Sequence, residues 1–358
     1  MSIQTNEHAA VGYAARSAEA PLARFEFARR ALRPDDVMID ITHCGICHSD
    51  LHAARNDWGR TQYPIVPGHE IVGVVSALGS EVQGHRIGDQ VAVGCMVDSC
   101  GDCGHCSTDL EQYCLEGMVG TYNGKDRHDG STTFGGYSDK IVVRDEFVLR
   151  VPEGLGPAEA APLLCAGITS YSPLRTWKVG PGDRVAVAGL GGLGHVGVKL
   201  AAAMGAEVTV LTRSPGKAED CKRLGAHEVI ISSDRDAMRA AANRFDLILD
   251  TIPVRHQVSH YLPLLKVDRP LVIVGMIEMM PELHTGHLLG RRILTGSGIG
   301  GLRETQEMLD FCAEKGVAPD IEIIQMHEVN EAYDRLENAD VRYRFVIDLA
   351  SLKREASG

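Results

Sequence analysis

The run RVAVAGLGGLGH, residues 184–195, decides the fold of this 358-residue chain. Its first half is a mostly apolar stretch typical of a buried strand, and its second half is a G-x-G-x-x-G that would open a helix. The motif comprises Gly189, Leu190, Gly191, Gly192, Leu193 and Gly194. Such glycines permit a tight turn and a close backbone approach to a pyrophosphate, which the helix N-terminus would stabilise. A glycine-rich turn without a ligand is the alternative interpretation, because the motif alone is weak.

Strand-like and helix-like segments alternate along the chain after this run. Further strands are predicted at EVTVLTR (207–213), HEVIIS (227–232), DLILDTI (246–252), PLVIVGM (270–276) and RILTGSG (292–298). Helices are expected near residues 192–204, 216–224 and 234–243. Alternation of this kind predicts an α/β fold, a doubly wound parallel sheet of the Rossmann type.

The first part of the chain has a different pattern. Short strand-like runs, separated by Gly and Pro, are DVMIDITHC (36–44), EIVGVVSALG (70–79), DQVAVG (89–94) and IVVRDEFVLRV (141–151). They predict an irregular, mostly antiparallel β domain. The tail, with an amphipathic helix at ETQEMLDFCAEKG (304–316) and the run RYRFVIDL (342–349), is expected to return to it. The predicted domains are therefore residues 1–165, 166–303 and 304–358.

Composition narrows the class of protein. The chain is 44% hydrophobic and 23% charged, which is ordinary for a globular protein. A formal net charge of -12 argues against nucleic acid or an anionic membrane as a partner, since both require a basic face. The N-terminus lacks a signal-peptide pattern and no apolar run has the length of a membrane span, so a cytoplasmic protein is expected.

The run CGDCGHCSTDLEQYC contains four closely spaced cysteines. They are Cys100, Cys103, Cys106 and Cys114, in a C-x2-C-x2-C-x7-C spacing. Four thiolates on one short lobe suit a closed, tetrahedral structural Zn²⁺ site. An Fe–S cluster or a chance clustering of cysteines in a loop are the alternatives.

A second metal site is predicted from three separate segments. Cys47, His69 and Cys165 together form a Cys2His set, which leaves a fourth position open for water or substrate. An open position distinguishes catalytic zinc from structural zinc. Taken singly, Cys165 could be a buried packing thiol and His69 a hydrogen-bonded loop histidine.

These motifs resemble the zinc-dependent alcohol dehydrogenases of the medium-chain dehydrogenase/reductase superfamily, in their cinnamyl-alcohol-dehydrogenase-like branch. The resemblance runs essentially end to end and rests on CGICHSD (44–50), YPIVPGHEIVG (63–73), the cysteine lobe, TYNG (121–124), GGYSD (135–139), LLCAGIT (163–169), GLGGLGH (189–195) and ETQEMLDFC (304–312). It implies a GroES-like catalytic domain, two Zn²⁺ per chain and a small-molecule aldehyde or alcohol substrate. It also implies a homodimer that pairs through the edge strand near residues 293–300.

The same resemblance assigns roles to residues near the second metal site. Ser49 would accept the proton of the substrate alcohol and pass it, through the nicotinamide ribose, to His52 and then to solvent. His52 alone would otherwise be interpreted as a surface histidine. Asp50 would orient His69 through its other ring nitrogen, and Glu70 would approach the metal transiently.

The end of the strand at residues 207–213 indicates which nicotinamide cofactor is used. An NAD site places Asp or Glu there, and the segment VTVLTRSPGK (208–217) has neither. Thr212, Arg213, Ser214 and Lys217 offer hydroxyls and cations suited to a 2′-phosphate, which predicts NADP(H). Arg213 and Lys217 as plain surface charges are the alternative. The resemblance adds cofactor contacts from Thr169, Thr251, Gly275 and Ile299.

The substrate pocket is predicted by resemblance alone. Its apolar lining would include Trp58, Met96, Val119, Gly120, Ile277, Gly298 and Ile299. Ordinary core packing is the alternative interpretation of the apolar side chains among them. Relatives specialised for lignin-type substrates carry large aromatics where this chain has Gly120 and Gly298, so a wider, permissive pocket is expected. The predicted function is an NADPH-linked, zinc-dependent reductase of aldehydes, reversible as a primary-alcohol dehydrogenase. A reductase of iminium or conjugated C=C bonds, and a non-enzymatic zinc protein, are the alternatives.

Overall fold

The computed structural model of the chain describes residues 7–275 and 279–355. They fall into two compact units. One unit comprises residues up to Cys165 together with those from Gly301 onward, and the other runs from Ala166 to Gly300.

The unit from Ala166 to Gly300 is built on a six-stranded parallel sheet. In spatial order its strands are Glu228–Ile231, Glu207–Thr212, Arg184–Ala188, Leu247–Asp250, Pro270–Ile273 and Ile293–Gly296. Its α-helices are Ile168–Thr176, Gly194–Ala203, Ala218–Arg223, Arg235–Ala240 and Gly286–Leu289, with 3₁₀ turns at Pro215–Lys217, Val258–His260 and Leu262–Leu264. The predicted α/β class with a Rossmann-type sheet is confirmed.

Strand register in this sheet brings the loops of a binding site together. Ala188 pairs with Leu211 on one side and with Asp250 on the other, so three strands end at the same edge. The predicted helix near 192–204 begins only at Gly194, because the glycines before it form the turn that leaves the strand. The central strand Arg184–Ala188 is buried beyond its first residue, which explains its apolar sequence.

The other unit contains a seven-stranded, mostly antiparallel sheet. Its strands are Ile321–Gln325, Arg344–Asp348, Asp36–Gly45, Ile71–Leu78, Gln90–Val93 and Leu149–Arg150 in spatial order, with Lys140–Arg144 paired to Asp36–Gly45. Two small sheets join His8–Ala14 to Ala23–Arg29 and Met96–Asp98 to Val119–Gly120. The α-helices are His48–Ala54, Pro157–Pro162, Leu302–Lys315, Val329–Glu337 and Ala350–Glu355. The 3₁₀ turns are Cys106–Thr108, Glu111–Tyr113, Asp145–Phe147 and Met326–Glu328.

One predicted strand was wrong in its continuity. The run at 141–151 is broken into Lys140–Arg144 and Leu149–Arg150 by a 3₁₀ turn at Asp145–Phe147. Phe147, Val148 and Leu149 are buried in succession, whereas a straight strand would place Val148 on the face opposite to its two neighbours. Within the described part of the chain, none of the helices combines the length and apolar character that a membrane span needs.

Candidate active site

The residues of the predicted second metal site come together at the start of the helix His48–Ala54. Cys47 is the N-cap residue of that helix, two residues after the strand Asp36–Gly45 ends. His69 and Glu70 precede the neighbouring strand, where Cys44 pairs with Ile71. Cys165 lies in the π-helical turn Leu163–Gly167. The ligand atoms of Cys47, His69, Glu70 and Cys165 all lie within 4.8 Å of one another.

Geometry and burial of this cluster fit a zinc ion. Tetrahedral Zn²⁺ with Zn–S bonds of about 2.3 Å holds two sulfur ligands roughly 3.8 Å apart. The Sγ atoms of Cys47 and Cys165 are 3.8 Å apart, too far for a disulfide. Their shared hydrogen bond lowers the pKa of Cys47 well below its ordinary value, so one thiolate forms readily. Both thiols and the His69 ring are buried, as a dry catalytic site requires.

Asp50 orients His69. Its carboxylate has no exposed surface, and Oδ1 accepts from His69 Nδ1 and from the N–H of Gly68, each at 3.0 Å. Its Oδ2 accepts from the N–H of Cys47 at 2.8 Å and from the phenol of Tyr137 at 3.3 Å. Because a carboxylate only accepts, Nδ1 of His69 carries the proton and Nε2 is left for a metal. Burial opposes charge on His69, yet Asp50 raises the pKa of this imidazole well above its usual value.

Glu70 is poised between an arginine and the metal cluster. Its Oε1 is ion-paired with Arg344, which is itself buried. Its Oε2 is buried and has no hydrogen-bond partner among residues 7–275 and 279–355. Burial raises the pKa of Glu70 to about 7, although Arg344 opposes the rise. Gly45 makes the arrangement possible, because a Cβ there would lie 1.9 Å from Glu70 Oε2. A buried carboxylate oxygen without a hydrogen-bond donor, next to thiol and imidazole ligands, fits a site for a metal cation.

Ser49 and His52 lie three residues apart on the helix His48–Ala54 and therefore share a face. The Ser49 Oγ is 3.5 Å from Cys47 Sγ, which places this hydroxyl beside the metal ligands. His52 is exposed, with 39% of its side-chain surface accessible, and its Nδ1 is 2.7 Å from an oxygen of Asp57. Because a carboxylate only accepts, the Nδ1 of His52 donates this hydrogen bond to Asp57.

The four cysteines of the lobe also converge. Cys106 Sγ lies 3.8 Å from Cys100 Sγ and 3.5 Å from Cys103 Sγ, and all four sulfurs are within 4.8 Å of one another. This spacing fits the edges of a tetrahedron around one Zn²⁺. An iron–sulfur cubane would have to fit between the sulfurs, and the spacing leaves room for a single ion.

Backbone and arginine groups compensate the charge of the thiolates. N–H groups of Cys100, Cys103 and Leu115 each point at a cysteine sulfur at 3.4 Å. Hydrogen bonds from backbone N–H groups lower the pKa of Cys103 to about 6. The guanidinium of Arg127 lies 3.7 Å from Cys114 Sγ. Backbone N–H groups therefore stabilise thiolate charge in this lobe, most clearly at Cys103, and thiolates are the form that binds zinc.

The glycine loop has the shape that a pyrophosphate needs. Gly189 adopts φ +90°, which turns the chain out of the strand Arg184–Ala188. A Cβ at Gly194 would lie 2.3 Å from the carbonyl of Gly189, so only glycine permits this close helix–strand approach. A Cβ at Gly191 would meet nothing within 4 Å, which leaves an open face for a ligand. Thr251 braces the loop through a 2.9 Å hydrogen bond to the Ala188 carbonyl.

Cations surround the end of the strand Glu207–Thr212. Lys217 Nζ donates to the carbonyl of Leu190 at 3.1 Å, which places the ammonium on the glycine loop. Arg213 and Ser214 are exposed, and Thr212 Oγ1 accepts from the Ser214 N–H at 3.1 Å. The structure thus brings the four predicted 2′-phosphate residues to one loop.

His256 is a basic residue of this region that sequence reasoning missed. Its Nε2 faces a carboxylate oxygen of Asp250 and its Nδ1 faces the carbonyl of Val254, both at 2.8 Å. Burial lowers the pKa of His256, but the hydrogen bonds to Asp250 and Val254 raise it above the ordinary value, and the charge of Arg213 opposes the rise. His256 therefore lies within electrostatic range of Arg213.

The remaining predicted residues are those of the substrate pocket and the cofactor contacts. Met96 pairs with Gly120 across a short sheet that also contains Val119, and both apolar side chains are buried. Trp58 packs against His52, with ring centroids 5.6 Å apart. Thr169 is buried in the helix Ile168–Thr176. Gly275 lies close to a neighbouring segment, because a Cβ there would be 2.3 Å from the Ile252 carbonyl. Gly298 is exposed, and Ile299 has a strained φ of +43°. Ile277 lies outside the described residues.

Asp57, Arg127, Arg344 and Tyr137 were missed as site residues. Only Asp57 had a sequence signal, since a carboxylate five residues after a relay histidine can reach it. The other three contact the site through tertiary packing that sequence spacing does not reveal.

Comparison with known proteins gives a consistent result. The family model described as alcohol dehydrogenase GroES-like domain matches residues 33–153, and that described as zinc-binding dehydrogenase matches residues 192–314. An NADP-dependent alcohol dehydrogenase C of Mycolicibacterium smegmatis is 57% identical over 343 residues, covering 95% of this chain and 98% of the relative. An 8-hydroxygeraniol dehydrogenase of Catharanthus roseus is 50% identical over 350 residues, 97% of each chain. The solved structure of a cinnamyl alcohol dehydrogenase of Sorghum bicolor is 48% identical, with a TM-score of 0.93 over 96% of this chain and 98% of that one.

Proposed function

The chain belongs to the zinc-binding alcohol dehydrogenases of the medium-chain dehydrogenase/reductase superfamily, in their cinnamyl-alcohol-dehydrogenase-like branch, and we propose that it is a zinc-dependent, NADPH-linked reductase of aldehydes. The reverse reaction is oxidation of primary alcohols. One observation carries the proposal: the buried cluster of Cys47, His69 and Cys165 has zinc-ligand spacing and a serine hydroxyl beside it.

The roles of the chain's residues follow from their contacts. Cys47, His69 and Cys165 would hold a Zn²⁺ that supplies a Lewis acid for the substrate oxygen, and bound NADP(H) would supply or accept the hydride. Asp50 fixes the tautomer of His69, so that Nε2 points away from the carboxylate. The four-cysteine lobe would hold the second, structural Zn²⁺.

Proton movement is the task of Ser49 and His52. Alcohol oxidation releases a hydroxyl proton inside a dry site, and aldehyde reduction needs one there. The Ser49 hydroxyl lies 3.5 Å from Cys47 Sγ and is placed to exchange this proton. His52, on the same helix face and exposed, passes it to solvent while Asp57 holds its ring.

Local charge supports NADP(H). The loop after the strand Glu207–Thr212 has no carboxylate that could accept from ribose hydroxyls, but it has Arg213 and Lys217. Lys217 already contacts the glycine loop through the carbonyl of Leu190. A dianionic 2′-phosphate would neutralise this group of cations.

The substrate is proposed to be a hydrophobic aldehyde. Met96 and Val119 provide a buried apolar surface, and Gly120 adds no side chain to it. Two relatives are named for unsaturated alcohols, 8-hydroxygeraniol and cinnamyl alcohol, which supports a largely apolar substrate. Reduction of iminium or conjugated C=C bonds has less support, because Ser49 would then have no alcohol proton to exchange.

Two further properties stay predictions. Homodimerisation through the strand Ile293–Gly296 is supported by its position at the edge of the sheet and by the exposure of Ile293. Cytoplasmic location rests on the sequence alone.

An NADPH-oxidation screen over aliphatic, aromatic and terpenoid aldehydes tests the proposed function. We expect turnover with hydrophobic aldehydes, weaker turnover with NADH and loss of activity after chelation of the metal, restored by Zn²⁺. Activity that survives complete removal of the metal, or no turnover with any aldehyde, would contradict the proposal.

A further inference from the structure

Two buried tyrosines form a hydrogen-bonded chain that ends on the carboxylate of Asp50. The phenol of Tyr333 donates to the phenol oxygen of Tyr137 at 3.5 Å, and Tyr137 donates to Asp50 Oδ2 at 3.3 Å. Asp50 Oδ1 in turn accepts from His69 Nδ1. Tyr137 has no exposed surface and Tyr333 is 5% exposed, so water does not compete for these bonds.

These hydrogen bonds connect distant parts of the sequence. Tyr137 lies 87 residues from Asp50, and Tyr333 lies 196 residues from Tyr137, on the helix Val329–Glu337. The ring of Tyr137 also packs beside the site, because a Cβ at Gly68 would lie 2.7 Å from Tyr137 Cδ1. This residue therefore supports both the charge of Asp50 and the segment that carries His69.

Removing a donor from Asp50 has a defined chemical effect. A buried carboxylate needs hydrogen-bond donors, and each lost donor destabilises its charge and loosens its position. The orientation of a metal-binding imidazole depends on the group that holds its other nitrogen. Burial and the charge of Asp50 raise the pKa of both phenols well above the ordinary value, so they remain donors.

We propose that Tyr137 is a positioning residue for the catalytic metal, acting through Asp50 on His69, and that Tyr333 acts through Tyr137. This inference rests on the proposed zinc site at Cys47, His69 and Cys165. The hydroxyl groups, rather than the rings, position His69. Phenylalanine therefore tests this role, because it fills the same space without donating a hydrogen bond.

Three variants test the role of the two phenol hydroxyls: Tyr137→Phe, Tyr333→Phe and the double variant. Tyr63→Phe is the matched control, since the Tyr63 phenol donates to the Ala54 carbonyl at 2.8 Å and takes no part in the hydrogen bonds that join Tyr333, Tyr137 and Asp50. The first readout is the affinity of the catalytic site for Zn²⁺, measured by competition with a chromophoric chelator. The second is the visible absorption of Co²⁺ substituted at that site, which reports ligand geometry without any turnover.

We expect Tyr137→Phe to weaken metal binding about tenfold, at the low end for partners of metal ligands. Tyr333→Phe should weaken it by less, with a smaller shift of the Co²⁺ bands. The double variant should be no weaker than Tyr137→Phe, because Tyr333 acts only through Tyr137. Tyr63→Phe should match the wild type.

The outcomes separate this inference from the proposed function. A wild-type protein that binds no metal at this site would overturn the proposed function itself. Normal metal binding in the wild type, with unchanged affinity and Co²⁺ spectrum in Tyr137→Phe and Tyr333→Phe, would overturn only the positioning role. Additive losses in the double variant would also overturn it, since they indicate independent packing effects. If Tyr137→Phe does not fold, Tyr333→Phe alone decides, because it leaves the bond to Asp50 in place.

Discussion

Glu111 accepts a hydrogen bond from the backbone N–H of Leu302 at 3.0 Å, although 191 residues separate them in sequence. Leu302 is the first residue of the helix Leu302–Lys315, so the carboxylate of the cysteine lobe caps this helix. Gly301 allows the contact, because a Cβ there would lie 2.0 Å from the Asp109 carbonyl. The lobe is thus fixed to the C-terminal part of its own unit.

Replacement of Glu111 by Ala should destabilise this unit. The change removes both an acceptor and a negative charge at a helix N-terminus, each typically about 1 kcal/mol or less. We expect the thermal midpoint to fall by about 2–4 °C, measured by circular dichroism at constant zinc. Arg303→Ala is the control, since its ion pair with Asp109 is mostly exposed and should contribute little. An unchanged midpoint in Glu111→Ala would contradict the capping role.

The two metal sites should differ in exchange and in purpose. We expect two Zn²⁺ per chain, with the one at Cys47, His69 and Cys165 lost first to a chelator because its coordination is open. Cys165→Ser should abolish activity and leave a folded protein. Cys103→Ser should chiefly lower stability, because structural zinc contributes folding free energy directly. Metal analysis of the purified variants, beside their thermal midpoints, checks both expectations.

One control distinguishes thiol chemistry from zinc binding. Cys312→Ser changes a buried thiol far in sequence from both sites, and it should retain two Zn²⁺ per chain. A wild-type content of one zinc or none would show that at least one cluster is not a metal site.

The fold was largely predictable, since buried strands such as Arg184–Ala188 and glycine turns such as Gly189–Gly194 are local in sequence. Both metal clusters were predictable too, because thiol and imidazole ligands are chemically specific even when Cys47 and Cys165 lie far apart. Tyr137 and Arg344 were not predictable as site residues. Tyrosine and arginine occur in many roles, and only tertiary packing places them against Asp50 and Glu70.

Proton transfer should depend more on Ser49 than on His52. Ser49→Ala removes the hydroxyl beside Cys47, and general acid–base contributions are typically about 10²–10⁴-fold, so kcat for alcohol oxidation should fall by that order. His52→Gln should slow the reaction less, because His52 is exposed and water can replace it. Ser49→Thr, which keeps the hydroxyl, should retain most of the activity. Steady-state kinetics with unchanged turnover in Ser49→Ala would exclude the relay and favour a C=N or C=C reductase.

Cofactor choice should depend on the cations that follow the strand Glu207–Thr212. Arg213→Ala should raise the KM for NADPH about ten- to a hundredfold, since charge-assisted hydrogen bonds contribute about 1.5–3 kcal/mol, and leave that for NADH almost unchanged. Raised salt should mimic part of this loss. Thr212→Asp should go further, because its carboxylate repels the 2′-phosphate and accepts from the free ribose hydroxyls of NADH. Arg223→Ala is the control, since Arg223 is paired with Asp220 on the next helix. A wild-type preference for NADH, or equal weakening of both cofactors in Arg213→Ala, would show that Arg213 is only a surface charge.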